Sequence, residues 1–211
     1  EIAALGPRAM FFAANLADAA DARRIVGRAI DAFGSVNALV NSAAITTRGS
    51  LVDTSLELFE EHMAVNLRAP FLTMQALVRH LLATGKPGSI VNILSMSAAC
   101  GQPFLTPYST SKGGLATLTK NVANAYRRNL IRCNGINAGW MDTPGEDAIQ
   151  KSFHGAGADW LRKAEAAQPM GQLVKPWQLA SLVAYMISPE SGVMTGSLVD
   201  YDQNVSGAYG D

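Results

Sequence analysis

The sequence predicts an α/β fold: a doubly wound parallel sheet with helices on both faces. The first observation is the run SIVNIL at 89–94, which is short, apolar and bounded by turn residues, and reads as a buried parallel strand. The second is alternation. Strand-like runs at 36–41, 89–94, 130–137 and 195–200 are separated by helix-like stretches at 18–33, 54–83, 107–129 and 176–187. That order builds βαβ units. The third is a polar cluster that begins at Ser95, just past the strand at 89–94. In open α/β sheets ligands bind in the crevice beyond the carboxyl ends of the strands.

Length and composition fit one domain spanning 1–211. Hydrophobic residues make up 48% of the chain, charged residues 16%, and the formal net charge is zero. That balance argues against a nucleic-acid surface or an anionic-membrane binder. No apolar run approaches the ~20 residues a spanning helix needs, and the opening residues carry no signal-like pattern, so a cytoplasmic protein is expected. Cys100 and Cys133 are isolated thiols without metal or CxxC spacing. They are expected to be buried, reduced cysteines, and no metal site is expected.

In chain order, residues 1–5 read as the tail of a helix stopped at Gly6, with Pro7 beyond. Residues 8–14 read as a strand. The stretch 18–33 carries Ala22, Ile25, Val26, Ala29, Ile30 and Phe33 at helical spacing and closes at Gly34. Its arginines 23, 24 and 28 read as a solvated face. A strand follows at 36–41. Thr54 and Glu57 have capping-box spacing and open a helix running to about residue 83. Pro70 falls inside that helix, so a broken hydrogen bond or kink is expected near Asn66. His62 and His80 read as surface or boundary residues. After the strand at 89–94, Pro107 sits in the first turn of a helix to about residue 129, where its missing N–H does no harm. The strand at 130–137 leads into a segment at 144–168 that reads as two short helices forming a substrate lid. Trp140, Phe153, His154 and Trp160 are candidates to line a pocket there. Residues 176–187 form the last helix and 195–200 the last strand.

The chemistry concentrates in SMSAACGQPFLTPYSTSK at 95–112. Tyr108 follows Ser95 by thirteen residues and Lys112 follows Tyr108 by four. At i and i+4, Tyr108 and Lys112 share a helix face. A free phenol has a pKa of about 10, and a nearby ammonium favours the phenolate. The pair is therefore expected to act as an acid or base near neutral pH.

This constellation resembles the short-chain dehydrogenase/reductase family. Ser95 with Tyr108-x-x-x-Lys112 matches the family's catalytic spacing. Asn41-Ser42-Ala43-Ala44 is similar to its Asn-Asn-Ala-Gly turn, with Ala44 in the glycine position. Asn66 in VNLRAPF matches its helix asparagine. Asn134-Gly135-Ile136-Asn137-Ala138-Gly139, then Thr143, resembles its Asn-x-Ile-x-Pro-Gly…Thr stretch, with Ala138 for the proline. Asn15-Leu16 resembles the Asp-Leu/Val pair beside the adenine, and Asp202-Gln203-Asn204 stands in place of Asp-Gly-Gly.

The resemblance implies a Rossmann-type fold and a reaction. The expected activity is NAD- or NADP-dependent interconversion of a secondary alcohol and a ketone. Tyr108 exchanges the proton and Ser95 bonds the reacting oxygen. Lys112 lowers the tyrosine pKa and grips the ribose, while Asn66 holds a proton-relay water. Cofactor contacts fall to Asn15, Leu16, Asn41, Ala43, Tyr108, Lys112, Gly139, Met141 and Thr143. The family's N-terminal βαβ portion, about forty to fifty residues carrying the glycine-rich turn, is expected to lie outside this chain. Its absence leaves the choice of NAD or NADP open. The polar loops lean towards a sugar, polyol or other small polar alcohol. A 3-oxoacyl-carrier-protein reductase and a non-catalytic dinucleotide sensor are the alternatives. A homodimer or homotetramer is expected through the helix at 107–129, whose Ser109, Ser111, Gly113, Gly114 and Ala116 allow close packing.

Overall fold

The computed structural model describes residues 2–207. Four parallel strands form one sheet: β1 (Ala38–Asn41), β2 (Gly88–Ile93), β3 (Ile131–Ala138) and β4 (Leu198–Tyr201), adjacent in that order. Asn41 is paired with Asn92, Ile93 with Ile136, and Ala138 with Tyr201. The carboxyl ends of the strands therefore lie side by side.

Helices α1 (Ala19–Phe33), α3 (Ala69–Thr84) and α4 (Thr106–Tyr126) cover one face. Val26, Met74, Leu77 and Leu115 meet Ile90, Ile131 and Cys133 there. Helix α7 (Pro176–Ile187) covers the other, with Leu179 and Met186 against Val91, Ile93 and Ile136. Ile90 and Val91 go to opposite faces because strand side chains alternate. Both faces being covered explains why β2 is apolar almost throughout.

Local signals set the helix ends. Asp18 caps α1 by accepting from the main-chain nitrogens of Ala20 and Asp21, and Gly34 closes it at φ 79°. The long helix breaks where Pro70 requires. Helix α2 (Leu56–Met63) passes into a π-helical turn at Ala64–Arg68 before α3 begins, and the Ala69 N–H reaches back five residues to the Ala64 carbonyl. Pro70 has no N–H to offer the Asn66 carbonyl, and the wider turn absorbs that defect.

Several expectations are corrected. Residues 8–14 form no strand, because no neighbouring strand among the described residues offers them a ladder, and Phe11 is 90% exposed. The cap of α2 is Ser55, which accepts from the Leu58 N–H; the Thr54 hydroxyl instead donates to the Ser50 carbonyl. His62 is fully buried, its Nδ1 paired with the Leu58 carbonyl at 2.9 Å. Cys100 is exposed. Cys133 is buried, and burial pushes its thiol pKa up to about 12. Leu130 is the only described non-glycine residue with positive φ, so Ala44 sits where its glycine counterpart is not needed for conformation.

Candidate active site

The crevice beyond the strand ends is a cavity of about 830 Å³. Its walls include Ser95, Tyr108, Lys112, Gly139, Met141 and Thr143. Helix α4 sets the geometry of the central pair. Lys112 is 3% exposed, and its Nζ donates to the Ile93 carbonyl at 2.7 Å and lies 5.7 Å from the centre of the Tyr108 ring. Burial lowers the Lys112 pKa to about 8.

The tyrosine departs from expectation. Tyr108 is half-buried as a residue but its hydroxyl end lies deep, and that burial raises the phenol pKa. The opposing influences are a hydrogen bond from Ser95 and the charge of Arg48; Glu146 pushes the pKa up. Lys112 is not among the groups that lower it, because its own lowered pKa lies below that of the phenol and its charge is gone before the phenol ionises. Arg48 and Glu146 were not singled out from the sequence. The one available signal was that Arg48 is the only charged residue between Asn41 and Asp53, in a loop that follows a strand end.

Ser95 ends β2's extension and starts a 3-10 turn at Met96–Ala98. Its Oγ accepts from the Ser97 N–H at 3.2 Å and the Ser97 hydroxyl at 3.0 Å. With both lone pairs engaged, the Ser95 hydroxyl has its proton left to donate. Ser97 is thus the buried support of Ser95.

Asn66 sits in the π turn, 1% exposed. Its amide oxygen accepts from the Ile45 N–H at 2.9 Å, and its nitrogen donates to the Ile45 carbonyl and the Ser111 hydroxyl. The side chain therefore pins the loop after β1 to α4. Asn41 is also held: it donates to Asn92 at 2.8 Å and accepts from Thr73 at 2.8 Å, and Asn92 donates on to Thr119. Ser42 and Ala44, rather than Asn41 and Ala43, line the cavity. Asn15 is exposed and Leu16 packs against Ala22, Ala69 and Leu72, both away from the cavity wall.

Gly139 has a steric reason to be glycine, since a Cβ there would stand 2.3 Å from Asp202 Oδ1. The Thr143 hydroxyl caps α5 (Pro144–Ser152) by accepting from the Glu146 N–H. Beyond α5 comes α6 (Trp160–Ala166). Of the four candidate pocket residues, Trp140 and His154 line the cavity. Phe153 is 53% exposed, and Trp160 is buried beside Trp140, where its Nε1 donates to Asp147.

Comparison with known proteins decides the family. A family model described as Enoyl-(Acyl carrier protein) reductase, a short-chain dehydrogenase/reductase model, matches residues 1–205. The chain belongs to the short-chain dehydrogenase/reductase family. An uncharacterized oxidoreductase from Thermotoga maritima is 33% identical over 201 residues, 95% of this chain and 78% of the relative. L-rhamnose 1-dehydrogenase (NAD(P)(+)) from Azotobacter vinelandii is 32% identical over 202 residues, 95% of this chain and 77% of the relative. The solved aldohexose dehydrogenase of Thermoplasma acidophilum superposes with a TM-score of 0.85 at 23% identity, covering 97% of this chain and 83% of that one; the likeness is one of fold. As a family member the chain is an NAD(P)-dependent oxidoreductase that interconverts alcohol and ketone. Among the described residues, no helix is long and apolar enough to cross a membrane.

Proposed function

We propose that Tyr108, Ser95, Lys112 and Asn66 carry out this reaction on a sugar, polyol or other small polar secondary alcohol. The observation that carries the assignment is the convergence of the Ser95 hydroxyl and the Tyr108 phenol on one cavity, with the Lys112 ammonium buried behind them. The residues fit a nicotinamide dinucleotide. Lys112 has three donors and Ile93 takes one, leaving others for ribose hydroxyls. Gly139, Met141 and Thr143 offer main chain and a hydroxyl on the same wall. By motif position Asn15 and Leu16 are assigned to the adenine, and Asn41 and Ala43 to the ribose side.

The nicotinamide, when bound, supplies the hydride chemistry. The chain's own groups handle the oxygen and the proton. Ser95 donates to the substrate oxygen. Tyr108 gives a proton to that oxygen in reduction and takes it back in oxidation. Lys112 grips the ribose, and Asn66 holds the loop and α4 in register around a relay water. The segment 144–168 acts as the lid. A relative named for a sugar, the L-rhamnose 1-dehydrogenase, supports a hydroxylated substrate. A carrier-protein substrate is the weaker reading. The lid cations Lys151, Arg162 and Lys163 are each paired with Asp147 or Asp159, leaving no free basic face for an anionic carrier. A non-catalytic sensor is disfavoured by Ser95, Tyr108 and Lys112 sharing one cavity. A cytoplasmic homodimer or homotetramer completes the reading, although Gly114 already packs closely on Leu67 of the same chain.

Tyr108→Phe tests the reading. Turnover is expected to fall by about 10²–10⁴-fold, with cofactor affinity, measured by fluorescence titration, within a few-fold. Turnover near the original rate removes the assignment.

A further inference from the structure

The roof of the same cavity contains a charged pair that the reaction above does not use. Arg48 and Glu146 face each other at 3.2 Å, with side chains only 8% and 13% exposed. Glu146 Oε1 also accepts from Trp140 Nε1 at 2.9 Å and Gln150 Nε2 at 2.7 Å. Arg48 Nη1 donates to the Thr46 carbonyl, and the guanidinium lies 5.8 Å from the centre of the Phe104 ring. Two capacities are left over. Arg48 Nε is buried with no hydrogen-bond partner among the described residues. Glu146 Oε2 receives only the 3.4 Å contact from Arg48.

A buried, unpaired donor on a charged group is expensive to maintain, and a buried ion pair adds little stability of its own. Both features make sense if a ligand in the cavity takes up these leftover capacities. Arg48 and Glu146 both line the cavity that Tyr108 lines, so a small turn of the guanidinium would present Nε to a ligand there. What fits must accept from Nε and donate to Oε2. A hydroxyl does both. A carboxylate cannot donate, and a carboxylate or phosphate would meet the Glu146 charge. An alkyl group satisfies neither.

We propose that Arg48 and Glu146 form a neutral donor–acceptor pair that binds a substrate hydroxyl near the reacting carbon, selecting uncharged polyhydroxylated alcohols over plain alcohols and hydroxy acids. This rests on the function proposed above and names the substrate class of the same site.

The test compares three probes with the full chain and either NAD⁺ or NADP⁺: 2-butanol, 2,3-butanediol and 3-hydroxybutyrate. The unaltered protein is expected to favour the diol in kcat/KM. In Arg48→Met the diol-to-butanol ratio of kcat/KM should fall about 10–100-fold, the range for a lost hydrogen bond to a charged group, mostly through KM. Glu146→Gln, which keeps an amide oxygen for Trp140 and Gln150, should lower the same ratio and serves if Arg48→Met fails to fold. An unchanged ratio in the folded variants overturns the inference while leaving the enzymatic reading standing, as does a preference of the unaltered protein for the hydroxy acid. Failure of the unaltered protein to oxidise any probe or reduce the matching ketones defeats both.

Discussion

The floor and the roof of the cavity are built from different interactions. The floor is neutral and buried. Thr73, Asn41, Asn92 and Thr119 form one hydrogen-bonded chain across α3, β1, β2 and α4, and Asn66 joins Ile45 to Ser111 beside it. The roof is charged and partly wet. Arg48 pairs with Glu146, and Lys175 ties Asp142 at 2.8 Å to Glu165 of α6. Through Asn66 and Ser111, which donates to the Tyr108 carbonyl, the floor braces the turn of α4 that carries Tyr108 and Lys112 with groups that do not titrate near neutral pH. The roof is held by ion pairs, which salt and pH can weaken. A rigid base under a more adjustable lid is what positioning a proton-transfer pair and then admitting a substrate requires.

The largest test of that contrast is Lys112→Met. Turnover should fall by about 10²–10⁴-fold. Stability should move the other way. The folded pKa of Lys112, about 8, lies below its ordinary 10.5. Between these values the unfolded chain keeps the proton and the folded chain sheds it, so stability rises with pH. Without added cofactor, denaturant unfolding of the unaltered protein should therefore show a rise between pH 8 and 9, at most about 1.4 kcal/mol. The window stops at 9 because the raised Cys133 pKa acts in the opposite sense above it, joined by the raised Tyr108 pKa above 10. In Lys112→Met the rise should vanish; its persistence would assign it to other groups.

Breaking the floor itself comes next. Asn92→Leu leaves the Asn41 amide without its acceptor and the Thr119 hydroxyl without its donor, around a side chain that is fully buried. A loss of roughly 2–4 kcal/mol is expected from urea unfolding, with weakened activity although Asn92 is not a wall of the cavity. A loss under about 0.5 kcal/mol would mean the chain of amides adds nothing beyond packing.

The smallest effect belongs to the roof. Lys175→Met removes a tie whose groups are about a quarter exposed, so the stability change should stay under about 1 kcal/mol. Hydrogen bonds to Asp142, then Glu165, raise the Lys175 pKa. The tie is therefore fully present below the ordinary lysine pKa and is lost only as pH climbs through the raised one. The visible change should be in KM and in its response to salt. The unaltered protein should show a KM that rises between low salt and 1 M NaCl, and the variant should not. Equal salt responses would separate the lid from this ion pair.

Much of the scaffold was legible without a structure because its causes are local. Helix ends follow from Asp18 and Gly34, and the break near Asn66 follows from Pro70. Lys112 follows Tyr108 by one helical turn, which needs no tertiary information. The misreadings share a cause as well. Residues 8–14 have strand-like composition, but a strand exists only where another strand supplies a ladder. His62 looked peripheral because one polar residue on a helix does not declare what packs over it.

By itself, then, the sequence determined the order of strands and helices, the break at Pro70 and the placement of Ser95, Tyr108 and Lys112 past the strand ends, since each depends on residues a few positions apart. Only the tertiary structure decided that burial, not the lysine, dominates the phenol, and that Arg48 meets Glu146 across 98 residues of chain. Desolvation and long-range pairing are properties of surrounding atoms, and no local pattern records which atoms those will be.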